Sequence, residues 1–343
     1  RNRFTAAREA TQRLVDSYTP RELGKVLSPA SSFAVSQQPY TGAPHHIYSQ
    51  IELIPKYLTI EPFVITDNIE EADGMFILDP LSDEKFGVLK GTRAYVDQVQ
   101  GQKAFTLKNR LIDTMKEAYG DEYTKVLPQS FDMSNIDDAK EFVATYFERE
   151  KKGLDNYWIV KPNNYTHGKG ISIFNDISAI TKTANSIPCI CSKYIINPLL
   201  FDGKKFDLRF IILFKYDVMW NTHKPDIYLY DTFWTRFANN AFDLDDLTNY
   251  ETHFTVMNYG HKLTKLLDTD FITQFDDKFG KTCTWSSMKE KIEVLISRAF
   301  DAAIKTGKCT FETNSCAIFG ADVMIDADFT PYLLEMNFQP DCT

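Results

Sequence analysis

The sequence predicts an α+β fold of two or three packed subdomains, and three observations predict it. Its 343 residues are 43% hydrophobic and 14% aromatic, enough to bury a large core. Two stretches of helical spacing lie between Thr106 and Lys152. From Tyr157 the pattern switches to short apolar runs of strand type, closed by one more helix and a strand pair.

Residues 5–27 have helical spacing interrupted by Pro20, and a Ser/Gln/Pro/Gly-rich linker follows from Ser28 to Pro44. Residues 1–46 therefore read as the end of an upstream region. The chain opens on Arg1 and stops just after a strand-like run, so both ends read as cut from a longer protein. From Ile47 to residue 133 a small amino-terminal α/β subdomain is expected, with a strand over Pro62–Thr66 and a turn or short helix over Asp67–Asp73. Thr106–Tyr119 predicts a helix with Leu107, Leu111, Met115 and Ala118 on one face and Gly120 as its stop. Asn135–Lys152 predicts a second, capped by Ser134 or Asp137, with Phe142, Tyr146 and Phe147 buried and Gly153 at its end. Residues 134–343 hold the remaining two subdomains. YWIVKP, GISIF, CSKYIINPLL, KFDLRFIILF and IYLYDTFWTRF read as strands. Met288–Lys305 is a helix by the capping-box spacing of Ser287 and Glu290, closed by Gly307. Residues 319–326 and 331–338 form the closing strand pair.

A net charge of −9 argues against a nucleic-acid partner, which needs Lys and Arg gathered on one face. An acidic ligand must then meet a locally basic pocket. The six cysteines show no CxxC pair and no zinc-type spacing, so neither a disulfide framework nor a structural zinc is expected. No apolar run is long enough to span a bilayer, and no signal peptide opens the chain. The expectation is a soluble protein in the reducing cytoplasm with no membrane partner.

The chemistry is concentrated in FGADVMIDADFTPYLLEMNFQP. Alternation puts Glu335 and Asn337 on one face and Leu334, Met336 and Phe338 on the other. A hairpin whose loop is Ala327–Thr330 sets Asp322 opposite Glu335. Facing carboxylates repel unless a cation intervenes, and carboxylate and amide oxygens suit Mg²⁺. The alternative is a surface hairpin facing water; the apolar flanks and the Asn favour the metal. In WIVKPNNYTHGKGISIF, Lys161 ends a strand, and Gly168 and Gly170 flank Lys169 in a loop whose backbone can approach phosphates, with His167 beside it. A plain hairpin turn would leave the same pattern. No Walker A sequence and no protein-kinase HRD or DFG element occurs. In GKKFDLRFIIL, Lys205, Asp207 and Arg209 share a face, against Phe206, Leu208 and Phe210. Such a row is commonly a solvated outer face; Arg236, set among aromatics in WTRF, favours a pocket for an acidic substrate instead. His45, His46, His223, His253 and His261 read as ordinary surface or core residues, and Cys189 and Cys191 as packed thiols.

Taken together and in this order, over roughly residues 47–343, these stretches resemble the tubulin tyrosine ligase-like family. The resemblance lies in Lys161–Ile171, Lys193–Leu200, Lys205–Arg209, and Asp322 with Leu333–Asn337. The phrases YDTFWTRFANNAF, NYETHFTVMNY and NFQPDC are most similar to the branch designated member twelve, which carries a domain similar to a SET domain upstream. The resemblance implies an ATP-grasp fold, in which two α+β subdomains close on ATP while the amino-terminal subdomain helps bind the protein substrate. It implies a ligase that phosphorylates a carboxylate of a tubulin tail and joins an amino acid, tyrosine or glutamate, to it. ATP and Mg²⁺ are then the cofactors, tubulin or microtubules and a free amino acid the partners, and the microtubule cytoskeleton the location. By matching motifs, Asp322, Glu335 and Asn337 would hold Mg²⁺. Lys108, Lys161, His167, Gly168, Lys169, Gly170, Ser192, Lys193, Tyr194 and Ile195 would bind the nucleotide, the last four near the adenine. Lys205, Asp207, Arg209 and Arg236 would orient the acceptor or the amino acid, with Arg209 and Glu335 acting in catalysis. Ser192 stands where the family commonly has Gln, and His167 where many members have Arg. Those departures carry a second expectation, a binding module that regulates tubulin modification without catalysing it. A metabolic enzyme acting on a small substrate is a third, more distant.

Overall fold

The computed structural model describes residues 42–163, 170–218, 225–255 and 265–340. The helical stretch 5–27, His167, Gly168, Lys169, His223 and His261 lie outside the described residues.

Short apolar runs separated by Gly, Pro and Asp form the amino-terminal elements: β1 (His45–Ser49), α1 (Leu53–Tyr57), β2 (Phe63–Ile65), β3 (Gly74–Phe76), α2 (Asp83–Leu89) and β4 (Tyr95–Val96). The four strands run parallel, as strands joined by crossovers must. The turn expected after residue 66 is a single 3-10 turn, Ile69–Glu71, capped by Asn68. Next come α3 (Lys103–Thr106) and α4 (Lys108–Tyr119), ended by Gly120. The break between them is Leu107, whose backbone is extended; α4 begins two residues later than its periodicity reads. Leu107 is therefore exposed, whereas Leu111, Met115 and Ala118 are buried as expected. Gly101 approaches the backbone at Lys308 so closely that a Cβ would lie 1.8 Å from the Lys308 carbonyl oxygen.

A four-stranded antiparallel sheet orders β5 (Ser130–Asp132), β8 (Cys189–Lys193), β6 (Trp158–Pro162) and β7 (Ser172–Phe174). α5 (Ile136–Lys151) and α6 (Ile177–Ser186) bury Phe142, Tyr146 and Ile180 with Phe131, Trp158, Cys189 and Cys191. The two cysteines are free and packed, as expected. Asn135 caps α5, accepting from the amides of Asp137 and Asp138, so neither Ser134 nor Asp137 is the cap. Phe147, expected on the buried side, is half exposed.

The larger sheet is built on β10 (Lys204–Tyr216). It pairs with β9 (Leu200–Phe201), β11 (Asp226–Leu229), β12 (Trp234–Phe237) and β14 (Asn314–Ile325). β13 (Lys265–Leu267) extends one side, β15 (Pro331–Phe338) pairs with β14, and β14 also pairs with β4. The amino-terminal strands thus continue the same 11-stranded sheet. CSKYIINPLL, read as one strand, splits into β8 and β9 and carries the chain from one sheet to the other; IYLYDTFWTRF likewise splits into β11 and β12. α7 (Tyr250–His253), α8 (Asp268–Phe279) and α9 (Trp285–Lys305) complete the elements.

One face of β10 presents Phe206, Leu208, Phe210, Ile212 and Phe214 to a core shared with α4, α8 and α9. α9 begins at Trp285, a turn before the expected Ser287 cap, with Thr284 accepting from the Ser287 amide. The reason is burial. Trp285 stacks on Phe233 at 4.9 Å, and sealing such a ring contributes about 2 kcal/mol, more than a capping box would. Thr235 faces this core with its hydroxyl fully buried and unpartnered. A Thr235→Val chain is expected to gain about 1 kcal/mol of stability, because leaving a buried hydroxyl unpaired is costly. A lower urea midpoint for the variant would count against an unpaired hydroxyl. No helix among the described residues is long and apolar enough to cross a membrane.

Candidate active site

The other face of β10 carries the charge. Strand register puts Arg209 directly between Trp234 of β12 and Asp322 of β14, Asp322 opposite Glu335 of β15, Asp207 opposite Arg236, and Gly320 opposite Asn337. Lys205, Asp207 and Asp322 are each no more than 3% exposed, so this is not a solvated outer face. Gly320 makes room for the row: a Cβ there would lie 2.8 Å from Pro340 and 3.5 Å from Cδ of Arg209.

The Asp322–Glu335 pairing arises differently from the simple hairpin expected. Asp326 and Thr330 close a three-residue loop, with Phe329 at φ 59 and the Asp326 carboxylate accepting from the amides of Asp328 and Thr330. A bulge beside Asp322 then shifts the register by one. The shorter loop and the bulge cancel, and the two carboxylates still face each other. The extra residue is Leu334. It lines the cavity described below instead of joining Met336 in the core, and Leu333 takes the core position.

Both oxygens of Asp322 are held. Arg209 forks onto them, with Nη2 donating at 2.9 Å, and Nη2 of Arg236 lies 3.1 Å from Oδ2. Arg236 also forks onto Asp207, with Nε donating at 2.8 Å. Burial raises the Asp322 pKa, but the guanidinium groups of Arg236 and Arg209 outweigh it and hold the carboxyl at about 2. Burial pushes Asp207 up, with Arg236 pulling against it and Asp322 adding repulsion. Glu335 takes Nζ of Lys108 at 3.4 Å on one oxygen and the Asn337 amide at 3.2 Å on the other. Lys161 is partly buried beside them. Desolvation lowers its pKa, Glu335 draws it back up and Lys108 lowers it further.

Lys108, Lys161, Ser192, Leu334, Glu335 and Asn337 line one cavity of about 40 Å³ between the sheets. Five of these six were expected at a nucleotide or metal site. The Ser192 hydroxyl is engaged by Ser130 at 2.8 Å. Strand alternation sends Lys193 to the opposite side of β8, where it pairs with Asp155 and donates to the carbonyl of Tyr157 at 2.9 Å. Lys193, Tyr194 and Ile195 line a second, wider cavity of about 480 Å³. The structure therefore does not bring Lys193, Tyr194 and Ile195 into the cavity with Glu335. Gly170 sits at φ 70, a backbone state that suits glycine. Lys205 donates to the Tyr194 hydroxyl at 2.9 Å. Asp155, Ser130 and the structured role of His253 were not foreseen. Nothing in the local spacing marks the first two, and His253 lies 59 residues from its partner Tyr194.

The donor set suits a magnesium–nucleotide pair. Four cations, Lys108, Lys161, Arg209 and Arg236, surround three carboxylates, Asp207, Asp322 and Glu335, so one further anion is favoured. Glu335, Asn337 and Asp322 present hard oxygens from adjacent strands, and Mg²⁺ commonly completes one or two carboxylates with phosphate oxygens. Among the described residues no group of three or more His, Cys, Asp or Glu side chains could hold a metal, so phosphate oxygens would have to finish the shell.

The sequence profile of the Tubulin-tyrosine ligase family matches residues 91–343. Tubulin–tyrosine ligase-like protein 12 of Mus musculus is 30% identical over 315 residues, 86% of this chain and 48% of that protein. A probable tubulin polyglutamylase, TTLL2 of Mus musculus, is 30% identical over 249 residues, 67% of this chain and 42% of the relative. Tubulin glycylase 3D of Tetrahymena thermophila is 33% identical over 202 residues, 55% of this chain and 19% of the relative. The chain spans about half the length of the first of these and less of the others.

Proposed function

The chain belongs to the tubulin-tyrosine ligase family, and from that premise we propose that it is an ATP- and Mg²⁺-dependent ligase that joins an amino acid, tyrosine or glutamate, to a carboxylate of a tubulin tail. One observation carries this reading: Arg209, Asp322 and Glu335 face one another across β10, β14 and β15 with Arg236 beside them, next to a cavity lined by Lys108, Lys161 and Glu335, a concentration of cations inside an acidic chain. An ATP-grasp arrangement, with the four-stranded sheet and the larger sheet gripping the nucleotide, belongs to the same proposal. So does a place on the microtubule cytoskeleton.

In this reading ATP supplies the phosphoryl group, and Asp322, Glu335 and Asn337 would hold Mg²⁺, which would offset the charge of its phosphates. Lys108 and Lys161 offset the charge that develops during transfer, and their burial makes each ammonium worth more than it would be in water. Arg209 and Arg236 hold the acceptor carboxylate and keep Asp322 ionised. The amine of the amino acid then displaces phosphate from the acyl phosphate, forming the amide.

A second reading, a nucleotide- and tubulin-binding regulator without catalysis, is favoured by specific geometry. The Ser192 hydroxyl is hydrogen-bonded to Ser130 and both oxygens of Asp322 are held by arginines, so a bound nucleotide would find no free Asp322 oxygen for the metal that catalysis needs. Incubation with ATP, Mg²⁺ and a tubulin-tail peptide separates the two. The ligase is expected to release ADP only when the peptide is present, and the peptide to gain the mass of one residue when amino acids are added. Nucleotide binding without peptide-dependent ADP release would leave the regulator.

A further inference from the structure

The outermost strand of the larger sheet carries apolar residues that no described element covers. β2 ends the sheet, and among the described residues it pairs with β1 alone. Register sets Phe63 beside His45 and Ile65 beside Ile47, so Phe63 and Ile65 share the face on which Ile47 lies over Gly74. Met75, on the opposite face, packs with Phe86 of α2. The chain steps outward from β1 to β2, then back across β1 to β3 and β4, and right-handed crossovers put α1 and α2 on opposite faces of such a sheet. α1 and the turn after it therefore lie on the Phe63 face. They add Tyr57, 69% exposed, and Ile60, 56% exposed, to Phe63 and Ile65, each more than a third exposed. Exposed apolar residues are normally scattered singly, and four at one sheet edge mark a contact surface. Its rim is acidic. Glu52 and Glu61, just before α1 and β2, are exposed, and residues 45–90 hold nine carboxylates against three lysines.

We propose that residues 4–18 of the same chain dock on this patch as an amphipathic helix. Phe4, Ala7, Thr11, Leu14 and Tyr18 recur at helical spacing, and Pro20 disfavours helix at Thr19, which ends the run. At 3.6 residues per turn, Arg3 and Arg8 border this stripe on its two sides, whereas Glu9 and Asp16 fall on the opposite face. Such a helix buries its apolar stripe against an apolar surface and sets two arginines over the surrounding rim. The acidic rim of the β2 patch complements them.

Connection favours the same occupant. The chain enters the sheet at β1, next to β2, and the linker Ser28–Pro44 has a root-mean-square span of about 20–25 Å. Neighbouring strands are ~4.8 Å apart, so residues 4–18 reach β2 without strain. Tethering also presents them to the patch at an effective concentration on the order of millimolar, which a separate partner would have to exceed. The docking is independent of the ligase reading.

Hydrogen–deuterium exchange of the whole chain, read by mass spectrometry on peptides covering residues 4–18, tests it. In the wild type these amides are expected to exchange ~10-fold or more slower than those of an unstructured chain. Ile65→Asp and Leu14→Asp, one on each side of the contact, should each abolish that protection. Val64→Asp, on the other face of β2, should leave it intact. Peptides from α9 report whether each variant keeps its fold, and Tyr57→Asp, at the most exposed of the four positions, replaces Ile65→Asp should that chain loosen. Unprotected residues 4–18 in the wild type overturn the proposal. So does protection that survives both Ile65→Asp and Tyr57→Asp, because the helix would then rest elsewhere. Protection that rises with protein concentration, together with a dimer in sedimentation velocity, would assign the patch to a second copy and overturn it as well.

Discussion

An Asp322→Asn chain is expected to be about 3 kcal/mol less stable than the wild type at pH 7, because it leaves the Arg209 guanidinium without its carboxylate and takes one of two carboxylates from Arg236. Asp322 accepts from Arg209 and lies within ion-pair reach of Arg236, and its side chain is 5% exposed. Neither arginine can lose its proton, and burying an unpaired guanidinium costs more than the lost hydrogen bonds alone. The effect has a defined pH signature. The folded-state pKa of about 2 lies below the unfolded value near ~3.9, so the contribution of the carboxylate is complete above that value and lost as pH falls through 2. Urea unfolding of both chains at pH 7 and again near pH 2.5 reads it. The gap between them should shrink in acid. A gap that stays constant would mean the carboxylate is not what the arginines need.

Much of this arrangement is legible in the sequence, for particular reasons. Strand alternation places Lys205, Asp207 and Arg209 on one face and Glu335 beside Asn337, and both hold because no register shift falls within either run. The facing of Asp322 and Glu335 was reached through a loop one residue too long and no bulge. A bulge leaves no mark in an apolar strand, and here the two errors cancel. The helices show the limit from the other side. α4 and α9 are clear in their periodic cores, but their first turns were misplaced because an extended Leu107 and a buried Trp285, not capping spacing, decide where each begins.

What the sequence hides is the partner of each charged group. Whether the row on β10 faces solvent depends on what packs over it, and only the structure shows Lys205 and Asp207 buried. The pairing of Lys193 with Asp155 depends on a side of β8 that alternation cannot name without knowing which face is inward. The hydrogen bonds from Lys205 through Tyr194 to His253 join β10, the residue after β8 and α7 across about sixty residues of sequence, and no local rule anticipates them.

The Glu335→Gln variant should lose the Mg²⁺-dependent part of nucleotide affinity, by ~100-fold or more, while folding as the wild type does. Glu335 is half buried and takes Lys108 on one oxygen and the Asn337 amide on the other. An amide of the same shape can still accept from Asn337, so the hairpin should stand, but it brings no charge to a divalent cation. The sign of the metal-free result is the discriminating part. Without Glu335 the cavity keeps Lys108 and Lys161, with Arg209 and Arg236 beside it against only two carboxylates, so an ATP analogue added without Mg²⁺ should bind as well as before or better. Calorimetric titration with a non-hydrolysable analogue, with and without Mg²⁺, reads both arms. Loss of the metal-dependent arm alone supports a Mg²⁺ site at Asp322, Glu335 and Asn337, and a loss of about 2.7 kcal/mol corresponds to ~100-fold. Equal loss in both arms would mean a damaged pocket, and unchanged Mg²⁺-dependent affinity would remove Glu335 from the metal site. Should the wild-type chain bind no nucleotide in either arm, the ion pairs across β10 and β14 are structural. Whatever the chain does with tubulin must then be done by holding it.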